Sequence, residues 1–263
     1  MLLKDQVALV TGAGRGLGQA VARAYAREGA IVIAVSRTRS ELDQTARLIE
    51  REGGRVLTLS VDVGQEEAVR GMAAEVLRRF GRLDILVNNA ALLILKPFAE
   101  LSLEEWDRTI AVNLRGPVLT CKLFLETMKK QGGGSIINVS SRAGIKGFTR
   151  EVPYCTSKFG LEGFSRSLAM ELQPYNIAVN TITPGTLPNG AHIKPTSLTQ
   201  AEYEALSEAE RAQYADAMLL TEAFIFLALQ RGDGVTGERV QAYELSDKIR
   251  REGWGAGFER FAE

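Results

Sequence analysis

Apolar runs of strand length recur along the chain: "VALV" at 7 to 10, "AIVIAVS" at 30 to 36, "RVLTLSVDV" at 55 to 63, "LDILVNN" at 83 to 89, "GSIINVSS" at 134 to 141 and "IAVNTIT" at 177 to 183. Segments with helical spacing separate most of them. After the first run, Val21, Ala24, Tyr25 and Glu28 follow helical steps, and the apolar members form a stripe. The same reading fits 38 to 52, 65 to 80, 103 to 130 and 154 to 173. This alternation predicts an α/β fold: a single-domain, Rossmann-like, doubly wound parallel sheet of about seven strands with helices on both faces. Right-handed crossovers place its ligands at the carboxyl ends of the strands, where the winding reverses.

From Pro184 the pattern loosens. "PGTLPNGAHIKPTSLTQ" is rich in turn formers and "AEYEALSEAERAQYADAMLLTEAFIFLALQ" returns to helix, so residues 186 to 230 are expected to form a lid or variable segment. Val235 to Tyr243 is expected to give the last strand, with an atypical tail over 244 to 263.

Composition narrows the function classes. The chain has 263 residues, 45% of them hydrophobic, with 32 Lys+Arg against 32 Asp+Glu. Such a balance offers no general attraction to nucleic acid or anionic lipid. No apolar run approaches the roughly 20 residues of a membrane span, and the amino terminus carries no signal-peptide pattern, so a cytoplasmic location is expected. Cys121, Cys155 and the single His192 have no metal-ligand spacing and no disulfide framework.

The first run leads into "TGAGRGLG", a glycine loop that opens a helix. Strict G-x-G-x-x-G fails because Leu17 stands at the third glycine; Gly12, Gly16 and Gly18 fit G-x-x-x-G-x-G instead. Missing side chains let the backbone turn sharply and approach a pyrophosphate, and the helix amino terminus presents free N–H groups. A ligand-free glycine turn is the plainer alternative. After the second run, "VSRTRSEL" has no acidic residue at the strand end to accept from a ribose 2′-hydroxyl. Arg37, aided by Arg15, could pair with a 2′-phosphate instead, so NADP(H) is preferred and NAD(H) possible. Solvated surface arginines are the competing reading.

With these features, the sequence resembles the classical short-chain dehydrogenase/reductase family. The resemblance rests on "TGAGRGLG" at 11 to 18, "VDV" at 61 to 63, "NNAA" at 88 to 91, "VNL" at 112 to 114, "NVSS" at 138 to 141, "YCTSK" at 154 to 158 and "PG" at 184 and 185. It implies a cofactor site of Gly12, Arg15, Gly16, Leu17, Gly18, Arg37, Asp62, Val63, Asn89, Ala90, Pro184, Gly185 and Leu187, with Tyr154 and Lys158 shared. It implies Asn113, Ser141, Tyr154 and Lys158 as the catalytic residues, and a homotetramer or homodimer built through the helices at 103 to 130 and 154 to 173. Two positions depart from the family: Ala91 replaces a glycine, and Asn189 stands where threonine is frequent.

The residue types suit carbonyl chemistry. Tyr154 and Lys158 lie four apart, on one helix face. A free tyrosine titrates near pH 10; a neighbouring ammonium favours the phenolate and burial opposes it. Tyr154 would protonate a carbonyl oxygen while Ser141 donates a hydrogen bond to it. Pro117, four residues after Asn113, has no N–H to give the Asn113 carbonyl, which is thereby free to hold a water relaying protons to Lys158. The expected function is hydride transfer between NADP(H) and a small-molecule carbonyl or secondary alcohol. A 3-oxoacyl thioester (acyl-carrier-protein) reductase and a non-catalytic dinucleotide-binding regulatory protein are the alternatives.

Overall fold

The computed structural model describes residues 1–187, 191–193, 200–255 and 258. Seven strands form one wholly parallel sheet: β1 (Val7–Thr11), β2 (Ile31–Ser36), β3 (Arg55–Ser60), β4 (Ile85–Asn88), β5 (Gly134–Val139), β6 (Ile177–Thr183) and a last strand, β9 (Arg239–Gln241). Their order is β3-β2-β1-β4-β5-β6-β9, so the winding reverses between β1 and β4. The loops after those two strands therefore open a crevice at the sheet's carboxyl edge.

Strand side chains alternate between two cores. Ala8, Val10, Val32, Ala34 and Ile137 face one; Val7, Leu9, Ile33, Val35 and Ile136 face the other. The first is covered by α1 (Gly16–Arg27) and α2 (Arg39–Arg51), and the second by α3 (Glu66–Phe80), α5 (Gly116–Lys130) and α6 (Val152–Leu172). The period-2 burial explains why the strands read as continuous apolar runs: both faces are inside.

Three elements depart from expectation. The helix anticipated over 103 to 130 is broken: α4 (Leu103–Ile110), started by a Ser102–Glu105 capping box, passes through a π-helical turn at Ala111–Arg115 before α5. The Gly116 N–H bonds back to the Ala111 carbonyl, five residues away. Pro117, lacking an N–H and crowding the preceding turn, accounts for the widening.

The expected lid narrows. Its described part holds a two-stranded pair, β7 (His192–Ile193) with β8 (Tyr214–Ala215), and short helices α7 (Gln200–Ala205) and α8 (Glu208–Arg211). α9 (Thr221–Ala228), by contrast, belongs to the core: Phe224 and Leu227 are fully buried, and the Tyr25 hydroxyl donates to the Phe224 carbonyl at 2.9 Å. Finally, the last strand spans three residues only. Ala242 and Tyr243 start α10 (Ala242–Glu252), which buries Leu245, Ser246 and Ile249 against α9.

Candidate active site

The glycine loop is shaped by what lies behind it. Gly12 has a φ of +67°, and a Cβ there would stand 2.8 Å from the Asn89 Nδ2. A Cβ on Gly18 would overlap the Gly12 carbonyl oxygen. Side chains at either position would push α1 off the strand end, so these glycines let the helix amino terminus reach the crevice. Gly16, at a φ of +55°, begins α1, and Leu17 packs beside the α1-side core.

Opposite the loop, Asn89 is turned inward. Its backbone N–H and that of Ala90 both donate to the Thr11 Oγ1 at 3.0 Å, and its amide donates to the Thr11 carbonyl at 2.9 Å. Asn89 thus ties β4 to β1 while Ala90 lines the crevice. Gly12, Arg15, Arg37, Asp62 and Val63 line the same cleft. Ala91, where the family has glycine, lines it as well. Asp62 accepts from the Gly64 N–H at 2.9 Å and from Arg108. Burial alone would raise its carboxyl; the Arg108 and Gly64 hydrogen bonds prevail and hold it below the ordinary carboxylate value.

Glu41, a residue the sequence reading passed over, enters this cleft from α2. Its carboxylate accepts from the Arg15 guanidinium at 2.9 Å. The strand end has no acid, as expected, but folding brings one there from five residues beyond Ser36. Only proximity in the fold, not position in the loop, signals it.

A second, larger cavity adjoins the first at Leu93, which borders both. Ser141, Tyr154, Pro184, Gly185 and Leu187 line it, together with Arg142, Glu151, His192, Arg239 and Gln241. The expected contact at Asn189 lies outside the described residues.

Ser141 follows β5 and caps the tight turn Arg142–Gly144, its Oγ accepting from the Ala143 N–H at 3.2 Å. Tyr154 lies in the first turn of α6, beside the helix-starting Pro153, and lines the same cavity as Ser141. Of the opposed effects on Tyr154, burial dominates: the hydroxyl is held above its usual value, with Ser141 pulling the other way and Glu151 and Cys155 adding to the rise. One turn on, Lys158 is 2% exposed. Its Nζ donates to the Val139 carbonyl at 2.8 Å and sits 5.5 Å from the centre of the Tyr154 ring. Burial pushes Lys158 down to about 8, opposed by the negative charge of Glu162.

Asn113 sits in the π turn, its side chain fully engaged. The Oδ1 accepts from the Leu92 N–H at 2.7 Å, while the Nδ2 donates to the Leu92 carbonyl at 2.8 Å and to the Ser157 Oγ at 3.1 Å. Ser157 in turn donates to the Tyr154 carbonyl at 2.7 Å. Asn113 therefore joins the floor of the cleft to the helix carrying Tyr154. Ser157 completes that link, and its only sequence signal was its place inside "YCTSK".

Comparison with known proteins agrees with this architecture. The family model described as short chain dehydrogenase matches residues 6–196. D-threitol dehydrogenase of Mycolicibacterium smegmatis is 41% identical over 182 residues, which are 69% of this chain and 70% of the relative. A metagenomic short-chain oxidoreductase solved in complex with NADP superposes with a TM-score of 0.77 at 31% identity, over 91% of this chain and 99% of its own. An NAD+-bound xylitol dehydrogenase superposes at 0.76 and 28% identity, over 90% and 97%. The chain belongs to the short-chain dehydrogenase/reductase family, and it is an NAD(P)-dependent oxidoreductase. Among the described residues no helix is long and apolar enough to cross a membrane.

Proposed function

We propose that this enzyme transfers a hydride between NADP(H) and a small-molecule carbonyl or secondary alcohol, with Tyr154 as general acid and base. The observation that carries this reading is Tyr154, which lines one cavity with Ser141 and has the buried Lys158 Nζ 5.5 Å from its ring centre. The nicotinamide, when bound, supplies or accepts the hydride at the carbonyl carbon. In reduction, Tyr154 gives its proton to the carbonyl oxygen; its raised pKa keeps that proton in place at neutral pH. Ser141 donates a hydrogen bond to the same oxygen as negative charge develops there. Lys158 faces the phenolate left behind, and the Asn113 carbonyl holds the water through which the proton is replaced.

The dinucleotide would lie along the first cleft, its pyrophosphate against the Gly12–Gly18 loop and its adenine end between Asp62, Val63 and Arg37. Arg37 is exposed at the end of β2 and lines the cleft, which supports a 2′-phosphate ligand. Arg15 adds to it by exchanging Glu41 for phosphate. Leu103 on α4 and Phe159 and Met170 on α6 are 81%, 49% and 78% exposed, a surface suited to a homodimer or homotetramer. A cytoplasmic setting belongs to the same reading.

The test is NADPH and NADH oxidation against a panel of ketones, aldehydes, diketones, ketoses and 3-oxoacyl thioesters. Reduction of a carbonyl with NADPH favoured, abolished in Tyr154→Phe, is the expected result. Clear preference for NADH overturns the role of Arg37, and full activity in Tyr154→Phe overturns the mechanism.

A further inference from the structure

The substrate cavity has an ion pair built into its wall. Arg239, on the last strand, and Glu162, on α6, pair with side chains only 6% and 7% accessible. Thr181 is the register partner of Arg239 on β6, and its Oγ1 donates to the Glu162 Oε2 at 2.8 Å. The second Arg239 nitrogen, Nη2, donates to the Ser141 carbonyl at 3.1 Å. That carbonyl also accepts from the Gly144 N–H at 2.9 Å. Packing is close: a Cβ on Gly144 would stand 3.0 Å from the Glu162 Cγ and 2.9 Å from the Ser140 Oγ.

We propose that Arg239 and Glu162 are positioning residues of the catalytic site, holding the backbone of Ser141 so that its hydroxyl stays aimed at Tyr154. Taking two charges out of water is costly, and an apolar pair of similar volume would satisfy a merely structural core at least as well. What an apolar pair cannot supply is a donor to the Ser141 carbonyl. The planar guanidinium does, with one nitrogen on Glu162 and the other on Ser141. Glu162 in turn is fixed by Thr181 and lies one helical turn beyond Lys158, so β5, α6, β6 and β9 are all referenced to one point. Tyr154 and Ser141 come from different elements, and Arg239 and Glu162 tie those two elements together.

This inference rests on Ser141 acting in catalysis, and the experiment separates the two. Four proteins are compared on the best carbonyl of the panel above: Arg239→Met, the double variant Arg239→Met/Glu162→Met, Ser141→Ala, and Ser141→Ala combined with the double variant. The double variant removes both charges at once, which avoids stranding a buried carboxylate. The expected result is a thermal midpoint close to wild type in the double variant, KM within about twofold, and kcat lowered about ten- to a hundredfold. In the Ser141→Ala background the same double change has no further effect on kcat, because the two act through one hydroxyl. Arg239→Lys, which can reach one partner but not both, recovers part of kcat. Wild-type kcat in the double variant overturns the proposal, as does an equal loss with and without Ser141. Unchanged kcat in Ser141→Ala instead overturns the reading of the site itself.

Discussion

At the residue scale, burial shifts a few ionisable groups of the candidate site. Lys158, pushed down to about 8, loses its charge within an ordinary assay range. Its folded pKa lies below the usual lysine value, so the ammonium is complete only well below pH 8, half lost at about pH 8 and gone as pH rises further. The reductive kcat/KM is therefore expected to fall above about pH 8, measured as a pH–rate profile with a ketone substrate. Glu41 makes a second prediction. Glu41→Gln removes the carboxylate that accepts from Arg15, and a negative charge, from the cleft, so NADP binding should tighten about three- to tenfold while NAD binding changes little or weakens. Fluorescence titration of each dinucleotide reads this without turnover. Tyr154 and Lys158 were legible in the sequence through their four-residue spacing, and Ser141 through the family motif that contains it. Glu41, Glu162 and Arg239 were not, since their partners lie 26, 77 and 98 residues away along the chain.

At the element scale, helix interruption is the informative feature. Pro117 announced a lost N–H, and the sequence reading carried that as far as the Asn113 carbonyl. It did not reach the π turn or the use of the Asn113 side chain, because both are settled by α6 and by the loop after β4. Asn113→Ala is expected to leave the partly buried Leu92 N–H and carbonyl without their partner and the Ser157 oxygen without its donor, at a cost of about 1–3 kcal/mol in urea unfolding. Activity should fall beyond what that loss of stability explains, since Ser157 no longer ties Asn113 to the Tyr154 backbone. Gly18→Ala is a harsher test of the first turn: its methyl meets the Gly12 carbonyl, and dinucleotide binding should be lost.

At the scale of the whole molecule, the carboxy-terminal segment braces the candidate site. Tyr243 donates its N–H to the Pro184 carbonyl at 3.0 Å, and the Glu244 carboxylate accepts from the Thr186 N–H at 2.8 Å, so α10 holds the loop after β6. Leu245 is fully buried in the same helix. Leu245→Ala should destabilise the protein by about 2–5 kcal/mol in chemical denaturation; a peripheral tail would lose almost nothing.

The sequence by itself determined the sheet, its seven strands and the side of it that carries chemistry. Apolar runs separated by helical stripes admit few other arrangements, and glycines mark where backbone must approach a ligand. It also placed Tyr154 and Lys158 together through local spacing, and Ser141 with them through the family resemblance. Only the tertiary structure decided what surrounds them: Glu41 against Arg15 in the neighbouring cleft, Asn113 against Leu92 and Ser157, and Arg239 with Glu162 against Ser141. Those contacts join elements far apart in the chain, and neither periodicity nor propensity records which distant side chains a fold will bring within 3 Å.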